Sequence, residues 1–141
     1  MTLLEFITAR LDEDEATARA AGDGRWRVDH WLDPRSSCPT GCSCRRVEGL
    51  DFTVFDEGGH DEAQAEHMAR HDPARVLREV EARHRTLIRH RRDPQGACIG
   101  CGWSGDLDEP RTDAAEECPE LLDMASVWSD HAEYLTEWSP S

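Results

Sequence analysis

His67-Met-Ala-Arg-His71-Asp72-Pro73-Ala-Arg-Val-Leu77 is the stretch on which the fold turns. Its second half opens a helix. Asp72 is a favoured N-cap, Pro73 occupies the first helical position where a missing N–H costs nothing, and apolar residues at helical spacing follow. Its first half places His67 and His71 four positions apart, on one face if that piece is also helical. Two histidines and an aspartate thus converge at a helix start.

Working outward, the spacing of Val76, Leu77, Val80, His84, Leu87 and Ile88 predicts a main helix over about 73–92 with one buried stripe. His84 on that stripe reads as a hydrogen-bonded core or rim residue. Upstream, Asp61 caps a short helix over 62–70 that carries His67, and Glu57-Gly-Gly-His60 is a turn. Residues 45–56 predict one or two strands, with Leu50, Phe52 and Val54 alternating against Asp51, Thr53 and Phe55. Arg25–Leu32 is rich in aromatic and β-branched side chains and predicts a strand with Trp26, Val28, His30 and Leu32 on one face. At the start, Thr2-Leu-Leu-Glu5 is a capping box, and Leu3, Leu4, Phe6, Ile7 and Leu11 give helix 1, over 3–20, a short apolar face. Downstream, Asp93-Pro-Gln-Gly96 ends the main helix, and Cys118-Pro119 opens a last helix with Leu121, Leu122, Ala125 and Trp128 inward. Tyr134 and Trp138 are aromatic anchors behind it. The class is α+β: an N-terminal helix, a short antiparallel sheet, a long central helix and a metal-held C-terminal segment with a final helix. The expected organisation is one small domain over 1–141, with 94–141 as a metal-stabilised subregion.

The chain has 141 residues, a formal charge of −14 and a mean hydropathy of −0.73. So polar a chain builds a modest core, which a metal or a partner then supplements. Nucleic-acid phosphates are repelled by that charge, and direct binding is disfavoured unless basic residues are strongly segregated. Arg83, Arg85, Arg89, Arg91 and Arg92 do cluster near the end of the main helix, where cations complement the helix dipole. No basic leader and no apolar run of about 18 residues is seen, so the chain reads as cytoplasmic. In that compartment cysteines are read as metal ligands before disulfides.

Cys98-x2-Cys101-Gly102 carries the strongest chemistry. Two residues between cysteines, followed by glycine, make a tight turn that aims both sulfurs at one point, as in structural zinc modules. Cys118 follows after sixteen residues, and its place at a helix start favours a thiolate. For the fourth ligand, His90 leads because it precedes Cys98 by only eight positions; His84, Asp113 and His131 are alternatives. A second group, Cys38-x3-Cys42-x-Cys44, is less regular, with His60 as fourth ligand and His30 or His67 as alternatives. It would hold a second Zn2+ or an iron–sulfur cluster. Filling both groups as Cys3His zinc would carry the formal charge from −14 to about −16, so the surface acids need their own account.

His60, His67, His71 and Asp72 form the one grouping with catalytic potential. Paired histidines of zinc hydrolases enclose a glutamate base, but here the intervening residues are Met68, Ala69 and Arg70. Asp72 is accounted for by capping alone. No phosphate loop, nucleophile elbow or dinucleotide fingerprint occurs.

The run His67-x-x-Arg70-His71-Asp72-Pro73-Ala74-Arg75-Val76-Leu77-Arg78-x-Val80-Glu81-Ala82 resembles the signature of a small actinobacterial and actinophage family of unknown function. Leu3–Glu15 resembles that family's opening, and Cys118-Pro119-x-Leu121 with Asp130-His131-x-x-Tyr134-x-x-x-Trp138 its close. Ala132 replaces a more usual proline. The resemblance implies a bacterial or phage cytosolic origin and an accessory or regulatory role. It supplies no activity, substrate or catalytic residue.

Three functional expectations follow. The leading one is a non-enzymatic, zinc-stabilised module that binds a protein partner. The second is a metal-dependent, hydrolase-like enzyme working from His60, His67, His71 and Asp72. The third is an acidic mimic of nucleic acid.

Overall fold

Helix, three-stranded sheet, two helices and a cysteine-bearing segment with a final helix succeed one another along the chain in the computed structural model, which describes residues 1–22, 24–31, 44–50, 52–55, 62–104 and 109–140. Residues 33–43, with Cys38 and Cys42, and the turn at 57–60 with His60 lie outside the described residues, as do Asp61 and the side chains of His30 and Cys44. The chain divides into two compact units, Met1–Asp14 with Glu79–Ser141, and Glu15–Arg78.

In the first unit, helix α1 (Leu3–Ala20) begins at the capping box. Thr2 N–H donates to Glu5 Oε2 at 2.8 Å, and Glu5 N–H donates to Thr2 Oγ1 at 3.2 Å. The hydrogen bond from the Thr2 backbone, then that from its hydroxyl, holds the Glu5 carboxyl below its ordinary range. Leu3, Phe6, Ile7 and Leu11 are fully buried, each worth about 1.5–3 kcal/mol of transfer free energy. Phe6 is the centre: its ring meets Trp138 at 5.0 Å, His131 at 5.8 Å and Tyr134 at 5.9 Å. Arg10, only 6% exposed, reaches Glu13 at 2.8 Å and Glu133 at 3.3 Å and contacts the His131 ring. The aromatic anchors of the tail therefore close over α1, and the segment 94–141 shares its core with the first turns of the chain.

Helix α3 (Pro73–Arg89) contributes Val80 and Leu87 to this unit. Two expectations are corrected here. The helix stops at Arg89 rather than Arg92, because residues 92 and 98 form an antiparallel bridge that turns the chain back. Ile88 is 64% exposed, off the buried stripe. Asp93 Oδ1 ties that turn by accepting from the N–H groups of Gln95, Gly96 and Ala97. Strand β4 (Trp103–Ser104) then pairs with β5 (Glu109–Pro110), and helix α4 (Pro119–Ser126) buries Leu121 and Ala125.

In the second unit, β1 (Arg27–Trp31), β2 (Cys44–Glu48) and β3 (Thr53–Phe55) form an antiparallel sheet in chain order, with an irregularity between Val47 and Glu48. Helix α2 (Glu62–Arg70) packs against β1 and β2. Leu50 and Phe52 are 82% and 48% exposed, so neither belongs to an alternating strand. They sit in the turn between β2 and β3, where Gly49 N–H donates to the Phe52 carbonyl at 2.9 Å. A Cβ at Gly49 would lie 2.6 Å from the Phe52 ring, so a side chain there would push the ring aside.

Asp72, 7% exposed, is the knot of this unit. Its Oδ1 accepts the N3 amide of α3, Arg75 N–H, at 2.7 Å, and its Oδ2 accepts Trp26 N–H at 3.2 Å. Ala74 N–H donates to the Gly24 carbonyl at 3.2 Å. One side chain thus caps a helix and fixes the approach to β1.

Candidate metal centre

Cys98 is fully buried, and its N–H donates to the Thr112 carbonyl at 3.1 Å. Ile99–Cys101 make one 3₁₀ turn, and Gly102 leaves it with φ of 76°, a left-handed conformation that favours glycine. Cys118, also fully buried, is the N-cap of α4 with Pro119 at N1. His90, half-buried, extends the helical hydrogen bonding of α3 by one residue, its N–H donating to the Thr86 carbonyl at 2.9 Å.

These elements bring His90, Cys98, Cys101 and Cys118 together, with one donor atom from each lying within 4.8 Å of the others. His90 Nδ1 stands 3.5 Å from Cys98 Sγ, 3.4 Å from Cys118 Sγ and 4.0 Å from Cys101 Sγ. Cys101 and Cys118 sulfurs are 3.4 Å apart. A tetrahedral zinc with the usual bond lengths sets neighbouring sulfurs about 3.8 Å apart and sulfur about 3.6 Å from nitrogen. The observed separations fall within a few tenths of an ångström of that polyhedron. The donor set fits a metal ion of borderline softness, and the four residues could hold one.

Electrostatics point the same way. Burial pushes the Cys118 thiol up to about 12, against the pull of the Leu121 amide. Burial also raises Cys101, but hydrogen bonds involving Thr112, Cys118 and Cys98 outweigh it and leave that thiol below its ordinary value. The Cys118 sulfur therefore ionises near neutral pH only beside a cation. The helix start at Cys118 does not by itself make a thiolate, because desolvation is larger than the dipole of a two-turn helix.

Gly100 is a positioning residue that the spacing argument passed over. A Cβ there would lie 2.6 Å from the Arg89 carbonyl oxygen and 2.7 Å from His90 Nδ1. Only a residue without a side chain lets the imidazole settle on the knuckle. Its sequence signal was available, since Cys98-Ile-Gly-Cys101 places a glycine inside the turn. Thr112, buried and bonded to the knuckle, carried no signal at all.

The other candidates do not join this cluster. His84 faces Asp12 at 3.9 Å, His131 lies beside Arg10 and Phe6, and Asp113 is exposed. Cys38, Cys42 and His60 lie outside the described residues, and so do the side chains of Cys44 and His30. His67 and His71 stack at 4.2 Å between ring centroids, both exposed, with His71 Nδ1 2.8 Å from the His67 carbonyl oxygen. Both carboxylate oxygens of Asp72 are taken by backbone amides.

No curated protein and no solved structure matches the chain. A family model does, over residues 1–140. With nearly every residue covered, the chain belongs to the Family of unknown function (DUF6221).

Proposed function

We propose that this protein is a zinc-stabilised, non-enzymatic accessory or regulatory module of the bacterial or phage cytoplasm that acts by binding another protein. The observation that carries this reading is the closed donor set of His90, Cys98, Cys101 and Cys118. Catalytic zinc keeps a position open for water or substrate, whereas four protein donors fill the tetrahedron and leave the ion a structural task. The remaining grouping does not assemble an alternative among the described residues: His67 and His71 face solvent, and Asp72 spends both oxygens on amides. No helix among the described residues is long and apolar enough to cross a membrane.

Metal analysis of the purified chain tests the proposal. One zinc per chain, lost in the Cys98→Ser, Cys101→Ser double variant, is the expected result. Two per chain, with one ion lost in a Cys38→Ser, Cys42→Ser variant, would assign a second ion to Cys38, Cys42 and Cys44 with His60. No metal, with Cys98, Cys101 and Cys118 reacting freely with a thiol reagent in the folded protein, would overturn it.

A further inference from the structure

Around the metal knuckle, three pieces of chain meet along one strip. Ile99 N–H donates to the Arg91 carbonyl at 3.1 Å, and Arg111 N–H donates to the Gly102 carbonyl at 3.0 Å. Gly100 lies against the Arg89 carbonyl, and Trp103 pairs with Pro110. Ile99 is 41% and Trp103 58% exposed. Arg89, Arg91, Arg92 and Arg111 are exposed as well.

None of these four arginines has an acidic partner among the described residues. Arg89 donates to the Thr86 hydroxyl and Arg91 to the Ile88 carbonyl. Acids are abundant in this chain, 30 against 16 basic residues, and every basic residue is arginine. Elsewhere Arg10, Arg19, Arg27, Arg70 and Arg85 each reach a glutamate. A divalent ion among three thiolates leaves a net charge of about −1, which one arginine offsets; four exceed that need.

We propose that this strip is a docking surface for an acidic segment of a partner protein in which carboxylates alternate with apolar side chains. Guanidinium forks match carboxylates in two-point hydrogen bonds, and Ile99 and Trp103 offer the apolar anchors that concentrate binding energy. A single-stranded nucleic acid fits less well. It brings a phosphate with every nucleotide toward a chain of charge −14, and the strip offers Trp103 alone for base stacking. A second copy of the chain carries the same −14 and is repelled likewise. The inference rests on the zinc-stabilised reading, since the ion holds the strip rigid.

The test uses the purified full chain with its metal and a labelled peptide of about twelve residues alternating Asp or Glu with Leu or Phe, beside an oligothymidylate of similar length. Saturable peptide binding that weakens with salt is expected. Trp103→Ala and the Arg91→Glu, Arg92→Glu pair should each lower affinity at least about tenfold while zinc content and melting temperature stay put. Three results would overturn the proposal: no peptide binding by a zinc-loaded chain, tighter binding of the oligothymidylate through the same residues, or dimerisation that Trp103→Ala abolishes. Metal is counted in every preparation, so a chain without zinc overturns the metal reading separately from the docking surface.

Discussion

At its first turn α3 is held by a carboxylate, and just past its last turn by an imidazole among three sulfurs. The carboxylate end is complete as it stands: Asp72 accepts Arg75 and Trp26 N–H groups, and Gly24 accepts Ala74 N–H. The imidazole end is not. His90 Nδ1 faces Cys98, Cys101 and Cys118, and burial keeps Cys118 protonated until a cation arrives. The capping carboxylate contributes about 2 kcal/mol, with or without metal. A structural zinc site contributes on the order of 10 kcal/mol, or nothing, according to whether the ion is bound. With the proposed metal, one end of the central helix is fixed without an ion and the other only when the ion is bound.

Removing the ion should have the largest effect. Chelation, or Cys98→Ser with Cys101→Ser, is expected to abolish cooperative melting of residues 79–141 while amide exchange around Asp72 stays slow; exchange that quickens equally at both ends would erase the contrast. Acid should mimic chelation. Ligands bind metal deprotonated, so falling pH releases the ion and its stabilisation, with about three protons taken up by the thiols. The metal-free chain has the opposite sign. Its Cys118 thiol sits above the ordinary value of 9.0, so that contribution is present below about pH 9 and lost as pH rises toward about 12. Gly100→Ala comes next. Displacing His90 should weaken zinc about 10- to 100-fold, read by competition with a chromophoric chelator. Asp72→Ala should cost about 2 kcal/mol in denaturant unfolding and leave zinc affinity unchanged; a loss of metal would show the two ends to be one site. His67→Ala with His71→Ala should be smallest, within about 0.5 kcal/mol and with full zinc content, because both rings are exposed.

Much of this contrast was legible in the residues. The capping box and the Asp72-Pro73 start are local, so the bounds of α1 and α2 and the start of α3 matched their expectation. His90 was reachable because eight positions constrain a loop tightly. What failed was what depends on tertiary context. Ile88 fits the helical period yet faces out, and the helix ends early because the 92–98 bridge competes for the chain. Leu50 and Phe52 alternate like a strand, but Gly49 permits a turn that the period cannot see. Gly100 and Thr112 serve the site through backbone proximity, which spacing between ligands does not encode. Arg89, Arg91 and Arg92 were visible as a cluster, but their lack of acidic partners among the described residues is a fact of three dimensions.

The Asp72 bond to Trp26 spans 46 positions of chain, and this has a kinetic consequence. Half of that carboxylate's work, the bond to Arg75, is local and can form as soon as α3 nucleates. The other half waits until a long loop has closed, late on the folding route. Replacing Asp72 by Asn leaves one acceptor oxygen for two amides. Stopped-flow measurements should then find refolding nearly unchanged and unfolding accelerated, the mark of a latch that closes after the rate-limiting step.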